Sequence, residues 1–315
     1  MIVQATAEFI ADAGARLKTG GLVAFPTETV YGLGADATSD TAVARIFAAK
    51  NRPGFNPLIV HVPDVDRAAS LVQFTDLGRK IADAFWPGPL SIVLRRTDNC
   101  PISLLASAGL ETIAIRVPAQ TTAQAILQAA GVPVAAPSAN ASGKISPTEA
   151  AHVHASLGDA VDLIVDDGPC RVGLESTVID CTTDRPVVLR PGGITTEQIE
   201  AIAGPVDRSD ASPDRPASPG MLQSHYAPDA AIRLNVSSVE AGEGLLAFGR
   251  HRFSGVEIER NLSPSADLQE AAANLFAMLR QLDAVAERIA VMPIPGTGLG
   301  QAINDRLQRA AAPRH

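Results

Sequence analysis

What most limits the fold of this chain is one interruption in an otherwise regular alternation. Short apolar runs alternate with helical periods from residue 6 to about residue 200. They stop at a stretch rich in Pro, Ser, Asp and Gly, GPVDRSDASPDRPASPGMLQSHYAP, and resume on a smaller scale beyond it. Loss of hydrophobic periodicity across such a composition marks a linker. The expectation is an α/β unit over 1–203, a linker over 204–229 and a small α/β unit over 230–315. A length of 315 residues suits two units.

Within the first unit, residues 6–19 read as an amphipathic helix with Thr6 as N-cap and Gly20-Gly21 as its stop. Strands are expected at 22–25, 58–62, 90–94, 112–117, 132–136, 162–166, 177–181 and 187–190. Helices are expected at 40–49, 65–71, 75–84, 122–130, after Ser146 and after Thr195. Several strands follow one another without a helix between them, so a mixed sheet with packed helices is expected over a purely parallel one. The second unit reads as strands at 231–234, 245–248 and 289–293 with helices at 267–284 and after Gly300.

Composition removes whole classes of function. With 46% hydrophobic and 19% charged residues the chain can build cores. Its net charge of −8 gives no diffuse attraction to phosphate backbones or anionic lipid. Cys100, Cys170 and Cys181 form no C-x-x-C, so neither a disulfide framework nor a thiolate zinc site is expected. The N-terminal residues lack the basic and apolar pattern of a signal peptide, and no run approaches a membrane span. A cytoplasmic protein is expected.

Six segments carry polar groups at strand ends. AFPTETVYGLGADA (24–37), with Thr29, reads as a turned loop at the carboxyl end of a strand, where ligands of open α/β sheets bind. It reads equally as a connector whose glycines allow positive φ. KNRPGFNPLIVH (50–61) places Lys50, Arg52 and Asn56 on a proline-stiffened loop, with His61 at the end of the next strand. Two cations and an amide suit a polyphosphate, and cations at a helix C-terminus also complement its dipole.

Arg116 interrupts the apolar run IAIRVP and must be solvated at a strand end or paired. AAPSANASGKISPT (135–148) carries Ser138, Asn140 and Ser142 toward a helix start, where Ser146-Pro147-Thr148-Glu149 suggests a capping box with proline at the first helical position. Small residues there let backbone N–H groups approach an anion. GLESTVID (173–180) and VLRPGG (188–193) add Arg190. GTGLGQAINDRL (296–307) reads as a structural turn or domain contact. No G-x-S-x-G, H-E-x-x-H or Walker pattern occurs, so no covalent nucleophile stands out.

Taken together, PTETVYGLG, K-x-R-P-x-x-x-N-P-L-I-V-H, WPGP, A-I-R-x-P, PSANxSGxxSPT, GxESTV, LRPG, SPGM-x-x-x-HYAP and AINDRL resemble the threonylcarbamoyl-AMP synthases in their long, two-domain form. The resemblance implies a YrdC-like twisted mixed sheet with packed helices and a smaller Rossmann-like α/β C-terminal domain. It implies a nucleotidyltransferase that condenses L-threonine, bicarbonate and ATP to threonylcarbamoyl-AMP and pyrophosphate, with Mg2+ accompanying ATP and no metal held by the protein. The product would feed tRNA modification through downstream threonylcarbamoyl-transfer proteins, with no membrane and no stable nucleic-acid complex.

By motif matching, Lys50, Arg52, Asn56, Thr112, Asn140, Thr148, Arg190 and Tyr226 would contact ATP or the adenylate. Thr29, His61, Arg116, Ser138 and Ser176 would contact L-threonine or its carbamate. Lys50, Arg52, Ser138 and Asn140 form the family's catalytic set, and the linker carrying Tyr226 would fold over the cleft. A double-stranded RNA-binding module of the same fold is the alternative, weighed against by the acidic balance and by only nine Phe, two Tyr and one Trp.

Overall fold

The computed structural model describes residues 1–54, 56–208, 225–251 and 253–313. The first part of the chain runs through β1 (Ile2–Gln4), α1 (Ala7–Lys18), β2 (Val23–Phe25), β3 (Gly32–Asp36), α2 (Asp40–Lys50), β4 (Ile59–His61), α3 (Val65–Ala69), β5 (Val72–Gln73), α4 (Asp76–Phe85) and β6 (Leu90–Arg96). It continues through β7 (Thr112–Arg116), α5 (Thr121–Ala130), β8 (Val134–Ala135), α6 (Ala150–Leu157), β9 (Leu163–Asp166), β10 (Thr177–Asp180), β11 (Val187–Arg190), α7 (Thr196–Ala203) and β12 (Asp207–Arg208). The second part holds β13 (Ala231–Arg233), β14 (Glu243–Ala247), β15 (Ile258–Asn261), α8 (Leu268–Asp283), β16 (Arg288–Val291) and α9 (Leu299–Ala311).

Strands of the first part join one sheet in the order β1-β9-β2-β3-β8-β4-β7-β6-β10-β11-β12, with β5 paired to β6. Parallel pairs such as β4–β7 occur beside antiparallel pairs such as β6–β7. The expected mixed sheet is therefore present. Successive side chains of a strand point to opposite faces. Accordingly Val23 and Phe25 join Leu17, Ile126 and Leu127 on the face covered by α1 and α5, while Ala24 joins Val43 and Ile46 on the other. Helices on both faces explain why these strands read as unbroken apolar runs.

Three local readings change. Residues 32–36, expected within a loop, form β3, because Gly34 lets the Phe25 ring and Val134 lie against the backbone; a Cβ there would sit 2.7 Å from Phe25 Cε1. The capping box expected at Ser146–Glu149 does not form. The helix begins at Ala150 with Glu149 as N-cap and no side-chain cap bond, since Ser146 Oγ instead donates to buried Glu175 at 2.5 Å. The capping box of this part lies at Thr195 and Gln198. The short strands β1, β5 and β15, too brief or too polar to stand out, were not expected from the sequence.

Strand β12 lies inside the stretch read as linker and pairs with β11. Residues 209–224 of that stretch lie outside the described residues. Beyond them a four-stranded, all-parallel sheet, β13-β16-β14-β15, packs against α8 and α9. Its core does not end at the domain edge: Val30, Ile145 and Leu174 from the first part share a cluster with Phe276, Leu279 and Ile303. Gly173, at φ +72, makes this contact possible, because a Cβ there would lie 2.5 Å from the Ala272 carbonyl oxygen. Among the described residues no helix is long and apolar enough to cross a membrane.

Candidate active site

The site forms where the middle of the large sheet runs out. Strand β8 contributes only Val134 and Ala135; the Ala136 N–H bonds the Ile59 carbonyl, and the chain then leaves the ladder. The strand ends around this gap carry His61 and Arg116, which are register partners, and Arg190. Thr29, Arg52, His61, Arg116, Ser138, Ser176, Arg190 and Tyr226 all line one small cavity of about 50 Å³, together with Glu175 and His225.

Arg116 meets both accounts open to it in the sequence. It pairs with buried Glu28 at 2.5 Å and also faces the cavity. Its Nε donates to the Gly88 carbonyl at 3.2 Å and its Nη1 to Thr29 Oγ1 at 3.0 Å. Glu28 Oε2 accepts from the Ala119 and Gln120 N–H groups at 3.1 and 3.3 Å, so the carboxylate is itself held in place. A guanidinium has five N–H groups, of which three are used here, and two remain for an anion in the cavity. Burial, reinforced by Arg116, pushes the neighbouring His61 imidazole down to about 3. His61 is thus a neutral ring, with Nδ1 3.2 Å from the Ile59 carbonyl oxygen.

Lys50 ends α2, and Asn51 follows in the left-handed conformation at φ 50, turning the chain toward Arg52. The Lys50 ammonium is buried and donates to the carbonyls of Ser138 and Asn140, the former at 2.5 Å. Burial first, and Arg52 second, lowers its pKa well below the usual lysine value. Arg52 Nε and Nη2 donate to the Asn56 and Pro57 carbonyls at 3.2 and 2.9 Å. Burial brings its pKa down to about 10, against the opposing effect of Tyr226. The Lys50, Arg52, Ser138 and Asn140 set therefore converges. Asn56 is fully buried with neither amide atom hydrogen-bonded, and Asn140 Oδ1 is in the same condition. Buried amides left in this state are costly unless something bonds them.

On the opposite wall, Arg190 donates through Nε and Nη2 to the Ser176 carbonyl at 3.2 and 2.8 Å, and through Nη2 to Ser176 Oγ at 3.2 Å. Ser91 Oγ sits 2.8 Å from Ser176 Oγ and orients it. Glu175 is held by Ser146 and by Arg306. Burial works to raise its carboxyl, yet Arg306 and Arg190 outweigh this and keep it below the ordinary value. His225 stacks edge-on to Tyr226 at 4.1 Å, and the Tyr226 hydroxyl and His225 Nδ1 are buried without partners.

The remaining candidates do not line the cavity. Lys50 and Asn140 stand one hydrogen bond behind its wall. Thr148 is buried with its N–H 3.3 Å from His152 Nδ1. Thr112 starts β7 opposite Arg95, about 13 Å along the strand from Arg116. Sequence reasoning left Glu28, Glu175, Ser91, His225 and Arg306 without roles. Charged residues set in apolar surroundings, as in GLESTV and AINDRL, were the available signal.

Residues 15–192 match the Sua5/YciO/YrdC family, described as Telomere recombination, and residues 194–312 match the family described as Threonylcarbamoyl-AMP synthase, C-terminal domain. The threonylcarbamoyl-AMP synthase of Bacillus subtilis (strain 168) is 42% identical over 324 residues, covering 97% of this chain and 93% of the relative. The chain belongs to the threonylcarbamoyl-AMP synthase family. It is accordingly an enzyme of the nucleotidyltransferase type. Another threonylcarbamoyl-AMP synthase, from Pyrococcus abyssi (strain GE5 / Orsay), is 39% identical over 95% of this chain and 92% of its own. The crystal structure of P. abyssi Sua5 complexed with L-threonine superposes with a TM-score of 0.92 at 35% identity, over 99% of this chain and 97% of that one. Escherichia coli YciO matches 59% of this chain and 90% of its own with a TM-score of 0.53 at 25% identity, which places the YrdC-like fold in the first part.

Proposed function

We propose that this enzyme condenses L-threonine, bicarbonate and ATP to L-threonylcarbamoyl-AMP and pyrophosphate, for modification of tRNA by partner transfer proteins. The observation that carries this reading is the meeting of Arg52, Arg116 and Arg190 with Thr29, Ser138 and Ser176 around one cavity. All three reactants bring negative charge to a chain of net charge −8. A local cationic pocket is what such a chain needs in order to bind them.

In this reading the threonine amine and bicarbonate form a carbamate and release water. A carbamate oxygen then bonds the α-phosphorus while the bond to the β-phosphate bridge breaks, and pyrophosphate leaves. Arg116, with two N–H groups available, binds the amino-acid carboxylate beside Thr29, His61 and Ser176. Lys50, Arg52 and Arg190 take the phosphates, and Asn56 and Asn140 supply their unbonded amide atoms to the nucleotide. Such chemistry needs alignment and charge stabilisation, not a protein nucleophile.

Magnesium fits this site only as a companion of ATP. Among the described residues no cluster of three or more His, Cys, Asp or Glu side chains could hold a metal ion. The cavity carboxylate Glu175 and the nearby Glu28 are committed to Arg306 and Arg116. The ion would be carried by phosphate oxygens and water, and no step here is routed through a metal held by the protein.

Pyrophosphate release, measured with threonine and bicarbonate omitted in turn, tests the assignment. Release should fall to background in each omission. Undiminished release without either one would overturn it.

A further inference from the structure

Arg306 belongs to α9 of the second part, yet its side chain is fully buried against the first. Its Nε donates to Glu175 Oε2 at 2.8 Å, its Nη2 to the Pro191 carbonyl at 2.9 Å and its Nη1 to Asp305 Oδ2 at 2.5 Å. Its guanidinium carbon lies 5.1 Å from the centroid of the Tyr226 ring. Arg306 itself does not line the cavity, whereas Glu175 and Tyr226 do. A carboxylate in the wall of an anion site is a hazard, since it repels phosphate and competes for the arginine beside it. Here that arginine is Arg190.

We propose that Arg306 is a positioning residue for nucleotide binding: by pairing with Glu175 and packing on the Tyr226 ring, it neutralises the acid in the cavity wall that would otherwise repel the phosphates and draw on Arg190. The inference rests on the ATP site proposed above. It also gives the C-terminal domain a task, namely to neutralise one acid in the wall of a site located in the other domain. The groups facing Glu175 are Arg306 with its own partner Asp305 from α9, Arg190 from β11, Ser146 ahead of α6, and Tyr226.

Three variants test this: Arg306→Met, Arg306→Lys and the double variant Arg306→Met/Glu175→Gln, each confirmed as folded by circular dichroism. At pH 8, R306M should raise the ATP KM at least tenfold and change the threonine KM less than twofold, because Arg116 has a carboxylate partner of its own. Without its cation, buried Glu175 titrates upward, so the defect should shrink as the pH is lowered toward 6. The double variant, with no charge at 175, should recover at least threefold of the lost ATP affinity and lose the pH dependence. R306K, which keeps the charge but not the three-way fork, should raise the ATP KM about threefold.

An ATP KM within twofold of the parent in folded R306M overturns the inference. So do equal rises in both KM values, or a double variant as weak as the single one. If R306M fails to fold, a parental ATP KM in R306K overturns it instead. A parent that releases no pyrophosphate refutes the ATP reading and this inference with it, whereas an active parent beside an unchanged R306M refutes the inference alone.

Discussion

Glu28–Arg116 and Glu175–Arg306 are both buried carboxylate–arginine pairs at the same cavity, at 2.5 and 2.8 Å. They differ in what the arginine has left to give. Arg116 bonds Glu28, Thr29 and Gly88 from within one domain and still faces the cavity. Arg306 crosses between domains, is enclosed by Glu175, Asp305, Pro191 and Tyr226, and faces no open space. Replacing a buried ion pair with apolar groups is often neutral, while removing one partner strands a charge. A pair kept at a cavity is therefore better understood by the anion its arginine meets or the acid it silences than by net stability.

The sharpest way to break this contrast is to remove Arg116. Arg116→Met strands Glu28 and should lower unfolding free energy by about 3–5 kcal/mol, read from urea titration. Where the variant still folds, threonine-dependent pyrophosphate release should drop by roughly a thousandfold. A variant with parental activity would make Arg116 a mere strut. Lys50 offers a cation that grips carbonyls in place of a carboxylate, so Lys50→Met leaves no stranded acid. We expect kcat to fall about a hundredfold with Tm lowered by only a few degrees; a collapse in stability matching that of R116M would show the ammonium to be structural.

The effect that is smallest near neutral pH, and grows only on acidification, belongs to His61. His61 stays neutral in the fold down to about 3, while in the unfolded chain it takes up a proton below about 6.5. Its contribution to stability is thus intact above that value and lost as the pH falls from 6.5 toward 3, at up to about 1.4 kcal/mol per pH unit. Glu175, whose carboxyl is held below its ordinary value, loses its share only below the unfolded carboxylate range. Tm measured against pH should decline in the histidine window first, and His61→Gln should flatten that part of the curve. A variant curve parallel to the parent's would mean that His61 is not the group responsible.

Much of this was legible because burial writes itself into local pattern. The apolar runs gave the strands, Thr6 caps α1 as read, and an arginine inside IAIRVP could only be at a strand end or paired, and is both. What escaped depended on partners far along the chain. Gly34 reads as a turn until the Phe25 ring is laid on it. Ser146 reads as a helix cap until Glu175 claims its hydroxyl. Arg306 in AINDRL reads as one polar residue of an amphipathic helix, and its acid lies 131 positions away. Thr112, carried over by resemblance, sits at the far end of its strand from Arg116.

The ammonium of Lys50 is moored to two main-chain oxygens, those of Ser138 and Asn140. Every amino acid brings that same oxygen, so the mooring is written in the path of the backbone and not in any codon. A substitution of the side chain at 138 or 140 would thus alter what the pocket binds while leaving the Lys50 bonds to those main-chain oxygens in place.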